Sequence, residues 1–111
     1  MIVSKEQRDG IVVLGLDGDV MGGPEASRVN EEINSFLDEG SLKVVMDLGG
    51  VNRMNSSGLG IMINALTTFQ QNGGSLKLAR VSPVVQNLLK ITRLDSIFDS
   101  FDSVEDALGS F

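Results

Sequence analysis

The chain has 111 residues, of which 41% are hydrophobic and 22% are charged, a composition typical of one compact, ordered domain over residues 1–111. The 15 acidic residues outnumber the 9 basic ones, and the formal net charge of -6 offers no basic surface for nucleic acid or an anionic membrane. The sequence lacks Cys and His, which removes thiol nucleophiles and the commonest metal ligands and general base. We therefore expect no metal, no cofactor and no catalytic residue.

The N-terminal segment "MIVSKEQRDG" has no apolar run resembling a signal peptide. No stretch of the chain approaches the roughly 18 consecutive apolar residues of a membrane-spanning helix. These features predict a cytoplasmic protein without direct membrane contact.

The first third of the sequence predicts a strand pair and a helix. Two β-rich segments, residues 1–7 and 11–18, lie on either side of Arg8-Asp9-Gly10, and Asp-Gly between two such runs favours a hairpin. A glycine-rich loop follows up to Pro24, after which apolar residues recur at helical spacing until Gly40 offers a stop.

The middle of the sequence predicts the central strand and the second helix. Residues 42–48 form a near-continuous apolar run, which is typical of a strand buried on both faces. From Leu59 an apolar stripe at helical spacing continues until residues 72–74, "NGG", end the segment.

The last third predicts two further strand and helix pairs. Residues 75–80 alternate like a strand, and Ser82-Pro83 is a typical helix start. A short edge strand around residues 97–98 and a short helix from Ser103 complete the order. The predicted fold is α/β: one small domain with a mixed, mostly parallel sheet, an N-terminal antiparallel strand and about four flanking helices.

The glycine-rich stretch "DGDVMGGPEA" allows two interpretations. Backbone amides in such a loop can bind phosphate, but the GK[ST] ending of a P-loop is missing and Asp17 and Asp19 would repel an anion. The other interpretation is a turn that feeds a helix beginning at Pro24. Val20 and Met21 are expected to be exposed there and to belong to a partner-binding surface.

Four carboxylates, those of Asp17, Asp19, Glu25 and Asp47, are expected near the carboxyl ends of strands, where open α/β sheets place their sites. No His or Cys complements them in acid–base or nucleophilic roles. A small nucleotide-binding or catalytic α/β protein is therefore kept only as an alternative, and the chain is predicted not to be an enzyme.

The stretch "RMNSSGLG", residues 53–60, places Ser56 and Ser57 between the central strand and the second helix. Either serine could cap the helix, which would stabilise it by about 1 kcal/mol. A serine hydroxyl there could also accept a phosphoryl group, because helix amides and the positive end of the helix favour an added dianion.

The longer segment "VVMDLGGVNRMNSSGLGIMINAL", residues 44–66, closely resembles the signature of STAS-domain proteins, specifically the small, stand-alone anti-sigma factor antagonists. That signature is a hydrophobic strand ending in Asp-Leu, a short turn and Met-Asp-Ser-Ser/Thr-Gly-Leu-Gly. Gly18-Asp19-Val20, Gly73-Gly74 and Ser82-Pro83 with Val85 and Leu89 resemble further family features, so the similarity covers nearly the whole chain.

The resemblance implies that Ser56, with Ser57 as second choice, is phosphorylated by a partner that is both an anti-sigma factor and a serine kinase. The dephosphorylated protein would bind that partner and free a sigma factor, and a serine phosphatase would reset the phosphorylated form. The implied partner surface is the exposed face of the second helix together with Asp19, Val20, Met21, Arg53, Met54, Asn55, Ser56, Ser57, Gly58, Leu59 and Gly60. Gly58 and Gly60 would allow close approach by a partner backbone.

Two positions depart from the family pattern. Asn55 stands where Asp is usual, which keeps a hydrogen-bonding side chain but loses its charge and leaves open whether Ser56 is phosphorylated efficiently. Arg53 stands where relatives often have an aromatic or apolar residue, and its guanidinium could pair with a phosphate. A STAS subunit that docks on a transporter or another complex without phosphorylation is therefore kept as a second alternative.

Overall fold

The computed structural model describes the backbone of residues 2–111 and the side chains of residues 4–24 and 27–111. Within these residues, the chain alternates strands and helices in the predicted order. The elements are β1 (Ile2–Arg8), β2 (Ile11–Val20), α1 (Pro24–Asp38), β3 (Lys43–Met54), α2 (Ser56–Gln71), β4 (Ser75–Ala79), α3 (Pro83–Ile91), a 3-10 turn (Leu94–Ser96), β5 (Asp99–Phe101) and α4 (Val104–Leu108).

The five strands form one mixed sheet in the order β1-β2-β3-β4-β5. β1 is antiparallel to β2, and the remaining neighbours are parallel, which confirms the predicted fold class. The turn between β1 and β2 contains Asp9 and Gly10, both with positive φ, at 53° and 81°. Positive φ at both central residues is the requirement of a tight hairpin turn that matches the twist of its strands, so the predicted hairpin is confirmed.

Alternating residues of the strands supply the two faces of the sheet. On one face, α1, α2 and α3 cover the main core, which includes Leu14, Met46 and Phe69. On the other face, α4 covers a smaller cluster that includes Val13 and Val45. The three longer helices therefore lie on the same side of the sheet, and their first turns follow the carboxyl ends of β2, β3 and β4.

β2 and β3 are longer than the sequence predicts. β3 was expected to end at residue 48, and β2 to give way to a loop at Gly18, because glycines interrupt both apolar patterns. The two strands instead pair as far as Val20 and Met54, across two register shifts. β4 pairs with β3 only up to Asp47, so the end of β3 continues beyond β4 and has a described strand neighbour on one side alone.

The last strand also differs from the prediction. The apolar residues Ile97 and Phe98 suggested an edge strand, but Phe98 is buried in the main core just after the 3-10 turn, and β5 is Asp99–Phe101. The strand lies at Asp99–Phe101 because these three residues pair with residues 77–79 of β4. The predicted helix starts at Ser82-Pro83 and Ser103 are confirmed, and both serines are caps, since their hydroxyls accept hydrogen bonds from the N–H groups of Val85 and Asp106.

Candidate functional site

The first turn of α2 is capped by Asn55, not by a serine. The Asn55 side-chain oxygen accepts a hydrogen bond of 2.9 Å from the backbone N–H of Gly58. Ser56 and Ser57 are the first two residues of the helix, and this corrects the expectation that one of them caps it. Asn caps helices about as well as Ser does. Asn55 takes this role because it has extended backbone geometry and directly precedes the first helical residue.

The end of β2 lies directly against this first turn. The Val20 carbonyl oxygen accepts a hydrogen bond of 3.4 Å from the Asn55 N–H. A Cβ atom placed on Gly58 would overlap the same carbonyl oxygen. Gly58 therefore allows a close approach by the protein's own β2, and this corrects the expectation that it serves a partner backbone, whereas Gly60 has open space around it.

The two serines are both exposed, but their surroundings differ. The loop after β2 passes beside Ser57, since a Cβ on Gly22 would lie 2.8 Å from the Ser57 Cβ atom. Gly22 also has a φ of 94°, so this position favours glycine on two grounds. Among the described residues, neither serine hydroxyl has a hydrogen-bond partner. Ser56 is thus the serine that does not pack on this loop glycine.

One ion pair joins the ends of β2 and β3 beside the serines. Arg53 and Asp19 are register partners in the parallel pair, and the Arg53 Nη2 atom lies 3.2 Å from the Asp19 Oδ2 atom. Their side chains are 71% and 42% exposed, so water screens the pair on most sides. The pair therefore adds little stability, and both charges are accessible.

The structure brings the predicted partner-binding residues together at the carboxyl ends of β2 and β3 and the start of α2, but not all of them reach the surface. Val20 was expected to be exposed and is instead fully buried in the main core. Met54, Gly58 and Leu59 are buried as well. The exposed members are Asp19, Met21, Arg53, Asn55, Ser56, Ser57 and Gly60.

The solvent face of α2 carries no charge, a feature that the sequence interpretation missed. The helix has no Asp, Glu, Lys or Arg from Ser56 to Gln71, although 22% of the chain is charged. Its exposed residues after the serines are Gly60, Asn64, Thr67, Gln70 and Gln71. A count of charges along the predicted helix would have found this. Such a face is suited to protein contacts, because interface cores are depleted of charged residues.

Of the four carboxylates considered for catalysis, Asp47 and Asp19 are each held by an arginine. Arg80 contacts Asp47 through two hydrogen bonds of 2.8 Å. Burial raises the pKa of Asp47, but the hydrogen bonds from Arg80 and from the Gly49 N–H, together with the charge of Arg80, outweigh it and the net pKa is lowered. Asp47 is thus ionised and structural at neutral pH.

A metal site is not formed by the described acidic residues, since no three of them cluster suitably. Asp17 also has an interaction partner, and the Glu25 side chain lies outside the described residues. The glycine-rich stretch is strand up to Val20 and then leads to α1, whose first residue is Pro24. Of the two interpretations of that stretch, the turn that feeds a helix fits the region after Val20. No described helix is long and apolar enough to cross a membrane.

Comparison with known proteins gives one family. The family model described as the STAS domain matches residues 3–107. The chain is similar to a protein of Bordetella bronchiseptica that is provisionally named anti-sigma factor antagonist BtrV, with 29% identity over 111 residues that cover 100% of this chain and 95% of that protein.

Solved structures show the same fold. The crystal structure of TM1081 from Thermotoga maritima, also provisionally named an anti-sigma factor antagonist, has a TM-score of 0.84 and 24% identity, covering 96% of this chain and 92% of that one. The phosphorylated form of SpoIIAA, described as a Bacillus cell fate determinant, has a TM-score of 0.75 and 17% identity, covering 96% of both chains.

Proposed function

Because the chain belongs to the STAS domain family, we propose that it is an anti-sigma factor antagonist. In this proposal the protein is a cytoplasmic binding module and not an enzyme. It binds an anti-sigma factor that has serine kinase activity and thereby frees a sigma factor. The kinase switches the protein off by phosphorylating Ser56, and a serine phosphatase restores the binding form. The name of the Bordetella relative and the phosphorylated form of SpoIIAA support this role.

The observation that carries the proposal is the position of Ser56. This residue is exposed and is the first residue of α2, and the helix is capped by its neighbour Asn55. A phosphoryl group on the Ser56 hydroxyl therefore costs the helix no capping bond. The N–H groups and the positive end of α2 lie beside it and favour an added dianion.

The neutral face of α2 explains how one phosphate would act as a switch. The modification adds about -1.5 to -2 charges at pH 7. On a surface already crowded with charges this would be a small change, but α2 has none. A partner that covers this face would have to bury the new dianion, which is costly unless the partner supplies a matching cation.

The site of modification is tested by purifying the protein from its source organism and mapping phosphopeptides by mass spectrometry. We expect phosphate on Ser56, loss of the modified species in Ser56→Ala, and its retention in Ser57→Ala. Equal phosphorylation of wild type and Ser56→Ala would refute this assignment. Phosphate that disappears only in Ser57→Ala would move the site by one residue.

The switch is tested by affinity capture from lysate with wild type, Ser56→Asp and a control. Ser100→Asp is a matched control, because Ser100 is also exposed but lies on β5, at the far edge of the sheet. We expect wild type and Ser100→Asp to capture a soluble serine kinase that also binds a sigma factor, and Ser56→Asp to capture at least about tenfold less. Capture of a membrane transporter by all three proteins would favour the docking alternative.

A further inference from the structure

The Arg53–Asp19 pair stands beside the proposed phosphorylation site, at the point where three segments meet. Arg53 is three residues before Ser56 in the chain. Asp19 immediately precedes Val20, whose carbonyl oxygen contacts the first turn of α2. A phosphate on Ser56 would therefore be added close to one cation and one carboxylate that now bind each other.

Arg53 is the cation nearest to Ser56 along the chain. Between Lys43, at the start of β3, and Lys77, in β4, the sequence contains no other Lys or Arg. Lys77 has its own contacts, with Nζ over the rings of Phe101 and Phe111 at 5.4 and 4.8 Å. Because α2 is uncharged, none of its own residues competes with Arg53 for an added anion.

We propose that phosphorylation of Ser56 makes Arg53 exchange its partner, releasing the Asp19 carboxylate and binding the phosphate. The inference rests on the proposed function, because it specifies how the modified form of that site is arranged. The present pair is exposed and weak. A phosphate dianion carries more charge than a carboxylate and offers three acceptor oxygens, so it is the stronger partner for a guanidinium.

The reach of the side chains allows the exchange. Three peptide units separate the Cα atoms of Arg53 and Ser56, so these atoms are at most about 11 Å apart. An extended arginine and a phosphoserine together span about that distance, and both side chains are exposed, so once Arg53 leaves Asp19 its guanidinium can turn through solvent. Repulsion between the Asp19 carboxylate and the phosphate would act in the same direction, because it disfavours a shared position.

The exchange would change the surface at two places. Arg53 would partly neutralise the phosphate. Asp19 would lose its cation, so that the surface at the end of β2 would also become acidic. A partner surface matched to the paired, neutral Arg53–Asp19 arrangement would then meet an uncompensated carboxylate as well as the phosphate. Phosphorylation would thus alter both the helix side and the strand side of the proposed interface.

The experiment installs phosphoserine at position 56 by genetic code expansion, so it needs no kinase. The second pKa of the phosphate, near 6 in free phosphoserine, is measured by 31P NMR titration in wild type and three variants. We expect Arg53→Gln to raise this pKa by about 0.5 unit or more, because the cation that favours the dianion is gone. Asp19→Asn should lower the pKa below the wild-type value, since Arg53 then has no competing partner. Lys43→Gln, which removes the same charge from an exposed position at the opposite end of β3, should leave the pKa unchanged.

Identical pKa values in wild type and Arg53→Gln would overturn the exchange, and so would a shift of the same size in Lys43→Gln. A pKa that rises in Asp19→Asn would also contradict it. None of these outcomes depends on whether Ser56 is phosphorylated in the cell. Failure of the proposed function appears separately, as the absence of phosphate on Ser56 in protein from the source organism.

Discussion

The cap of α2 leads to a prediction that separates the role of Asn55 from those of the serines. Asn55→Ala removes the oxygen that accepts the Gly58 N–H at 2.9 Å, and this N–H belongs to a buried residue. The first turn has no acidic residue that could compensate. Loss of such a cap costs about 1 kcal/mol, which for 111 residues lowers Tm by roughly 4 °C.

The assay is urea and thermal denaturation followed by circular dichroism, with Ser56→Ala as the matched control. Ser56→Ala changes an exposed side chain that makes no capping bond, so we expect a change within about 0.5 kcal/mol. Asn55→Asp keeps the acceptor and adds a negative charge at the positive end of the helix, which should stabilise by about 0.3–1 kcal/mol. If Ser56→Ala cost as much as Asn55→Ala, or Asn55→Ala cost nothing, the assignment of the cap would be wrong.

Two further predictions concern packing and pH. Gly58→Ala should destabilise the protein by at least about 2 kcal/mol, because its Cβ would overlap the Val20 carbonyl oxygen. Gly60→Ala, in open space on a helix, should stabilise the protein by about 0.5–1 kcal/mol. Equal effects of the two substitutions in thermal unfolding would contradict the contact between Gly58 and Val20. The folded-state pKa of Asp47 is below its unfolded value of about 3.9, so its contribution is present at neutral pH and is lost as pH falls through the folded pKa. Asp47→Asn should therefore be less stable than wild type at pH 7, by at most about 1 kcal/mol because Arg80 is half exposed. In urea titrations the difference should shrink as the pH falls below the unfolded pKa of Asp47, and a constant difference would refute the role of ionisation.

The strand and helix order was predictable because most segments have a clear periodicity and clear boundaries. The end of β3 was not predictable, because two consecutive glycines, Gly49 and Gly50, are typical of a turn. In the structure these glycines serve close contacts: a Cβ on Gly49 would overlap the Arg80 guanidinium, and one on Gly50 would lie 2.7 Å from the Asp17 Cβ. Such contacts come from residues more than 30 positions away along the chain, and local propensity does not report them.

The clustering of the candidate residues was predictable from the sequence, but the capping role of Asn55 was not. Three consecutive polar residues, Asn55, Ser56 and Ser57, can each cap a helix, and the sequence does not say where the strand geometry ends. Val20 illustrates a second limit. It follows a glycine and an aspartate, which suggests a loop, but pairing with Met54 carries it into the sheet and buries its side chain.

The overhang of β3 beyond β4 bears on how the site moves. Residues 44–47 pair with strands on both sides, whereas the described partners of residues 50–54 are all in β2. With about half as many interstrand bonds, and with two register shifts, this end of the strand is held more weakly than its middle. Its amide hydrogens should exchange with solvent by local opening, whereas those of residues 44–47 should exchange only on global unfolding. The serines thus follow the most easily opened end of the central strand, and local opening there would expose Val20 and Met54 while residues 44–47 stay in the sheet.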